Sequence, residues 1–398
     1  MRNREPGAPA GEGFIPLSVP HLAGNEWAYV KECLDTNWVS SAGPFVDRFE
    51  RETAKAAGTR FAVATVNGTA ALHVALLLAG VRPGDEVVVS DLTFIAPANA
   101  VRYVGAHPVF VDAEPRYWQL DVQKLKDFVE RDCQPTASGL RNRATGRRVA
   151  AILPVHILGG LCDMTPILEI ADRFGLPVVE DATECLGARY AGRQAGSLGV
   201  MGCFSFNGNK LLTTGGGGML VTDDESLADR ARYLTTQAKD DAVEFVHRAV
   251  GYNYRLPNVL AAIGCAQLER LEEHIVRKRE IAAGYDADFR AVPGLQSLCE
   301  RPGDRNTFWL YTLRIETEAG QPDSRALLRH LDANDIQARP LWQPMHLSPA
   351  HAESFSTNCS VSECLNRECL SLPCSVGLGA DDRARVAAIV LSFIAKRA

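Results

Sequence analysis

Between residues 61 and 180, short runs rich in Val, Ile and Ala alternate with longer stretches of helical pattern. The runs 61–66, 86–90, 108–111, 149–154 and 177–180 are dominated by apolar residues and do not alternate with polar ones. That is the pattern of strands covered on both faces. The stretch 67–78 opens Asn-Gly-Thr and continues in Ala and Leu, which predicts a tight turn and a buried helix. Strands and helices in this order build βαβ units around a mostly parallel sheet. After Gly251-Tyr-Asn-Tyr-Arg-Leu-Pro257 the pattern becomes one long helix over 258–290, and a domain boundary is expected within it. A strand over 309–315, a helix over 324–334 and a terminal helix over 380–395 predict a smaller α+β unit. The expected organisation is a Gly/Pro-rich disordered lead-in over 1–13, a large α/β domain over 14–265 and a small C-terminal α+β domain over 266–398.

The chain of 398 residues is 46% hydrophobic and 23% charged, which fits a soluble globular protein with a sizeable core. A net charge of -6 provides no field to gather nucleic acid or an anionic membrane, so an anionic ligand needs local positive groups. No window approaches the roughly 20 apolar residues of a membrane span, and the N-terminus lacks a signal peptide's apolar core. Eleven cysteines, an odd number, suit a reducing compartment, and the expected location is cytoplasmic. Cys359, Cys364, Cys369 and Cys374 recur every five residues, which turns a helix by about 140° and points neighbouring thiols apart. No metal site is expected. The basic stretch 141–148 reads as a solvated loop.

Four places carry candidate chemistry. Lys210 follows an apolar run and precedes two threonines and four glycines. Such a pocket favours the neutral, nucleophilic amine, although a surface lysine beside a flexible loop has the same local sequence. Gly68 and Thr69 open a helix directly after a strand, which makes an anion seat or merely an N-cap. Asp181 ends an apolar strand, at the edge of an α/β sheet where ligands sit, and suits either a pyridine nitrogen or the cap of the next helix. Ser205 adds a hydroxyl. In combination these supply a phosphate seat, a partner for a protonated pyridine ring and a Schiff-base amine, the requirements of pyridoxal 5'-phosphate.

With Ser40-Ser-Ala-Gly-Pro44, Pro83-Gly-Asp-Glu-Val87, Phe204-Ser-Phe-Asn-Gly-Asn-Lys210 and Gly251-Tyr-Asn-Tyr-Arg255 in the same order, the chain resembles the DegT/DnrJ/EryC1/StrS nucleotide-sugar aminotransferases. The resemblance implies fold type I, the aspartate aminotransferase-like fold of pyridoxal-phosphate enzymes, and a homodimer with shared active sites. It implies that Lys210 is the Schiff-base lysine and proton shuttle, and that Asp181 pairs with the ring nitrogen. Gly68, Thr69 and Ser205 would hold the phosphate, with Asn253 reaching in from the partner subunit, and Phe94 would stack on the ring. Glu184 stands where many relatives carry Gln or His, so its role is left open. His156 and His346 align with positions near substrate. Lys239 and Arg255 are candidate contacts to a carboxylate or diphosphate, and Trp38 with Ser40 to the sugar.

Phe206-Asn-Gly-Asn-Lys210 looks most like the bacillosamine and legionaminic acid aminotransferases. The expected reaction is therefore transfer of the amino group of L-glutamate to C4 of a UDP-linked 2-acetamido-4-keto-2,6-dideoxyhexose. Alternatives are a C3-keto-sugar, GDP-perosamine-type or cyclitol aminotransferase, or, in another class, a non-catalytic regulatory or binding member of the fold.

Overall fold

A computed structural model of the chain describes residues 13–137, 139–241, 243–316 and 323–395. Apart from Gly13, the expected lead-in lies outside them. Seven strands form the central sheet: β1 (Phe61–Thr65), β2 (Glu86–Ser90), β3 (His107–Val111), β4 (Val149–Leu153), β5 (Val179–Asp181), β6 (Met201–Ser205) and β7 (Gly218–Thr222). Their order is β1-β7-β6-β5-β4-β2-β3, and single bridges Ile152 to Val178 and Val155 to Asp181 join β4 to β5. Only β7 runs antiparallel to its neighbours in this sheet. A short strand, Phe355–Ser356, adds in parallel at the β3 edge. Every residue of β2, β4, β5 and β7 is buried, as their apolar runs require of a sheet covered on both faces.

The helix Gly68–Leu78 is apolar around most of its circumference, and eight of its residues are buried. Its polar device is at the start, where the Asn67 side chain accepts the Ala70 N–H. Gly218 of β7 lets the sheet come right up to this start. A Cβ there would sit 2.4 Å from the Asn67 carbonyl carbon and oxygen.

The long helix expected over 258–290 is two helices, Asn258–Leu268 and Leu271–Phe289. No proline or glycine marks the break. It falls at Glu269, whose carboxylate takes hydrogen bonds from Asn25 (2.7 Å), Tyr29 (2.6 Å) and Arg48 (2.7 Å). The helices change company there. The first packs on the helices Glu26–Asp35 and Pro44–Ala57, the second on the terminal helix Ala380–Ala395. The C-terminal part carries an antiparallel sheet in the order Leu295–Ser297, Tyr311–Ile315, Cys369–Leu372, Arg339–Pro340.

The stretch 141–148 is not wholly a loop: strand Gly139–Asn142 pairs with Cys133–Thr136. Asn142 is buried, donating 3.0 Å to Glu86. Among the described residues no helix is long and apolar enough to cross a membrane.

Candidate active site

Parallel strands place their C-terminal ends along one sheet edge, and a cavity of about 300 Å³ opens there. Gly68 and Thr69 line it just past β1, Thr93 and Phe94 past β2, and Val155 past β4. Asp181, Thr183 and Glu184 come from the end of β5, Ser205 and Lys210 from β6, and Gly216 and Gly217 precede β7. The sheet thus gathers residues spread over about 150 positions.

Lys210 Nζ lies 3.3 Å from Glu184 Oε1, and the other Glu184 oxygen accepts the Leu158 N–H at 2.8 Å. Burial pushes the Glu184 carboxyl up, against the pull of Lys210 and Leu158, and neighbouring Asp181 pushes it further. Asp181 is buried and is likewise pushed up by desolvation, opposed by Thr183, whose N–H donates 3.1 Å to Oδ1, and by Lys210 and His156. The cavity therefore has an acidic floor that calls for a cation and, at the start of helix Gly68–Leu78, the positive end of a helix beside the Thr69 and Ser205 hydroxyls, which calls for an anion. Pyridoxal phosphate, with a protonated ring nitrogen and a phosphate at opposite ends, fits that distribution. Asp181 would hold the ring nitrogen, Gly68, Thr69 and Ser205 the phosphate, Glu184 and Lys210 the edge that reacts, and Phe94 and Val155 line the walls.

Other expected contacts lie elsewhere. His156 is fully buried: its Nε2 meets Glu180 Oε2 at 3.0 Å and its Nδ1 accepts the Cys162 N–H at 3.2 Å. Glu180 precedes Asp181 on β5, and successive strand residues point to opposite faces, so this pair lies away from the cavity. Glu180 also collects the N–H groups of Gly196, Leu198 and Gly199, a structural knot. Arg255 is spent on Glu50, with Arg232 3.7 Å from the same carboxylate. Lys239 is exposed, its Nζ 4.9 Å from the centre of the Phe245 ring. Trp38 and Ser40 are exposed outside the cavity and offer their carbonyls to Asn258. His346 also lies outside, with Nδ1 2.9 Å from Asp91 and Nε2 3.2 Å from Glu363. Ligand atoms of Asp91, His346 and Cys359 come within 4.8 Å of one another. The Cys359 thiol donates to the Thr357 carbonyl and His346 Nδ1 is taken by Asp91, so the cluster is already satisfied internally. Asn253 is exposed and outside the cavity of its own chain.

Sequence reasoning missed Trp309 and Trp342, which line the cavity from the C-terminal part, and Asn207 and Asn209, which precede the lysine. The asparagines stood inside the Lys210 motif and were legible there. Nothing local to residues 309 and 342 signals the site.

The family model described as the DegT/DnrJ/EryC1/StrS aminotransferase family matches residues 20–391. GDP-perosamine synthase of Caulobacter vibrioides is 41% identical over 378 residues, covering 94% of this chain and 96% of that protein. GDP-perosamine synthase of Escherichia coli O157:H7 is 37% identical, covering 90% and 93%. The crystal structure of S. venezuelae DesV in complex with a ketimine intermediate superposes with a TM-score of 0.83 at 33% identity, covering 93% and 94%.

Proposed function

The chain belongs to the DegT/DnrJ/EryC1/StrS aminotransferase family and is a pyridoxal-phosphate-dependent nucleotide-sugar aminotransferase, and from that premise we propose that it moves the amino group of L-glutamate to C4 of a GDP-linked 4-keto-6-deoxy sugar. The observation that carries the chemistry is Lys210 beside Glu184 in one cavity with Asp181 and the start of helix Gly68–Leu78. The choice of GDP rests on the two relatives named GDP-perosamine synthase, and it replaces the UDP-linked sugar expected from the residues around Lys210.

When bound, the cofactor supplies an electron sink for the carbanion left as a proton departs from carbon. The protein's part is to place charges and protons. Asp181 keeps the proton on the ring nitrogen, and its burial strengthens that pairing because little water screens the two charges. Lys210 takes the Cα proton of glutamate at Nζ and returns a proton at the neighbouring position; in the second half, with the keto sugar, it runs the same transfer backwards. Glu184, 3.3 Å away, accepts a hydrogen bond from the ammonium while Lys210 holds the proton, and keeps Nζ at the reacting edge. Glutamate leaves as 2-oxoglutarate and the sugar ketone leaves as an amine.

We further propose a homodimer in which Asn253 of the partner subunit completes the phosphate seat. Its support is that Asn253 is exposed outside its own chain's cavity, and that Trp27 and Trp38 are 80% and 53% exposed. Mixing inactive Lys210→Ala and Asn253→Ala proteins tests this, because a mixed dimer rebuilds one complete site. Recovered activity supports sharing; none, with mixed dimers demonstrated, refutes it.

The substrate is tested by incubation with glutamate and a panel of GDP- and UDP-linked 4-keto-6-deoxy sugars, with product analysis by NMR. Turnover of a GDP sugar with nitrogen at C4 supports the proposal. Exclusive turnover of UDP sugars or nitrogen at C3 replaces it, and no turnover with any sugar of the panel refutes the 4-keto-6-deoxy sugar as substrate.

A further inference from the structure

Lys210 has a second neighbour from the far end of the chain. Its Nζ lies 4.0 Å from the centroid of the Trp309 ring. The indole Nε1–H donates 2.7 Å to the carbonyl of Asn209, the residue immediately before the lysine. Ser18 Oγ donates to the same carbonyl at 3.1 Å. One side chain thus grips the backbone on one side of Lys210 and underlies its amine on the other.

The segment around Trp309 is fixed at unusual expense. The Trp309 carbonyl accepts from Nζ of Lys278 at 2.7 Å, a lysine 3% exposed whose amine also donates 2.7 Å to the Cys374 carbonyl. Arg279 donates 2.8 Å to the Asn306 carbonyl, and the Thr307 N–H donates 2.9 Å to the Gly159 carbonyl. Phe308 adopts φ 49°, a left-handed conformation that a bulky residue rarely takes. Gly159 is needed opposite, because a Cβ there would lie 2.6 Å from the backbone nitrogens of both Phe308 and Trp309. A lysine buried against carbonyls and a strained phenylalanine each cost stability, and what they fix in common is the place of Trp309.

We propose that Trp309 is a positioning residue for Lys210: its N–H anchors the backbone entering the lysine, and its ring face holds the amine within reach of Glu184. The inference rests on the reading of Lys210 as the cofactor-binding lysine. A ring face beneath Nζ covers one side of the amine and limits where it can move, and a fixed backbone lowers the entropy lost when the amine meets the cofactor.

Two rates test this on the full chain prepared free of cofactor, for wild type, Trp309→Phe and Trp309→Leu. The first is modification of Lys210 by trinitrobenzenesulfonate at fixed pH, located by peptide mapping. The second is appearance of the visible band of Lys210-bound cofactor after adding pyridoxal phosphate. Trp309→Leu loses the ring face, so the amine is modified about 2- to 30-fold faster, while band formation slows by about tenfold because the lysine is no longer held. Trp309→Phe keeps a ring but loses the N–H anchor, so modification stays within about twofold of wild type and band formation slows by about fivefold. Opposite movement of the two rates is the signature that a merely structural role would not produce. Unchanged rates in both variants, or both rates falling together in Trp309→Leu, overturn the proposal. Wild type that forms no band at Lys210 takes down the parent reading and this one with it.

Discussion

Replacing Asp181 by Asn should stabilise the cofactor-free protein and weaken the loaded one. The carboxyl is 2% exposed, its Oδ1 already accepts the Thr183 N–H, and an Asn oxygen can keep that bond. What the substitution removes is the burden of a carboxyl lifted by burial. With its folded pKa raised, Asp181 holds its proton to higher pH in the folded than in the unfolded chain. Its contribution to stability is therefore fully present below the unfolded value of about 3.9 and is lost as pH rises through the folded value. Glu184 shifts in the same direction, again first by burial, so the variant keeps part of the pH dependence. Relief of a strained active-site group of this kind contributes about 1–2 kcal/mol. For 398 residues, at about 2.1 cal/mol/K of unfolding entropy per residue, that raises the melting temperature by roughly 1–2 °C. The gain should be larger at pH 8 than at pH 5. With cofactor present the sign reverses, since Asn offers no charge to the ring nitrogen. Losing a charge-assisted hydrogen bond of about 1.5–3 kcal/mol weakens cofactor binding by roughly 10- to 150-fold. Thermal melts with and without cofactor at both pH values, and titration of the visible band, measure every term. A cofactor-free variant that melts at or below wild type at pH 8, or one that binds cofactor as well as wild type does, refutes the reasoning.

Lys210→Ala should lose the visible band and slow the glutamate half-reaction by about 10²–10⁴-fold or more, read by stopped-flow absorbance; near-normal turnover would sink the assignment of the lysine. Arg255→Ala should act on stability, because it leaves the buried Glu50 carboxylate with the Ala64 N–H at 2.7 Å and, as counter-charge, the more distant Arg232 at 3.7 Å. A loss of about 3–5 kcal/mol lowers the melting temperature by roughly 4–6 °C, with KM for both substrates within twofold; a raised KM at unchanged stability would return Arg255 to the substrate site. Gly218→Ala should force the helix start at Asn67 and Gly68 away from the sheet, since the new Cβ lies 2.4 Å from Asn67 backbone. Weaker cofactor retention on gel filtration checks this, and full retention with an unchanged melt would contradict the packing described.

The central sheet and the heart of the site were legible in the chain because both follow from local signals. Buried parallel strands announce themselves as apolar runs, and a parallel sheet carries their C-terminal ends to one edge. Gly68, Asp181, Ser205 and Lys210 therefore converge without any long-range information beyond strand order. Elements that depend on distant partners were not legible. The break at Glu269 has no local breaker and coincides with side chains from the first 48 residues. His156 and Arg255 carry the right chemistry for a substrate site, but their partners Glu180 and Glu50 stand 24 and 205 residues away and draw them into the frame. Trp309 reaches Asn209 across 100 residues, on a segment whose conformation is fixed by a buried lysine and a glycine from two other regions. The sequence by itself determined the sheet, the cofactor and the meeting of Lys210, Asp181, Ser205 and Gly68 at one sheet edge, because strand signals are local and strand order brings those ends together. Only the tertiary structure decided which charged groups are already paired and which aromatic ring lies beneath the amine, because those depend on side chains that meet only when separate elements pack together.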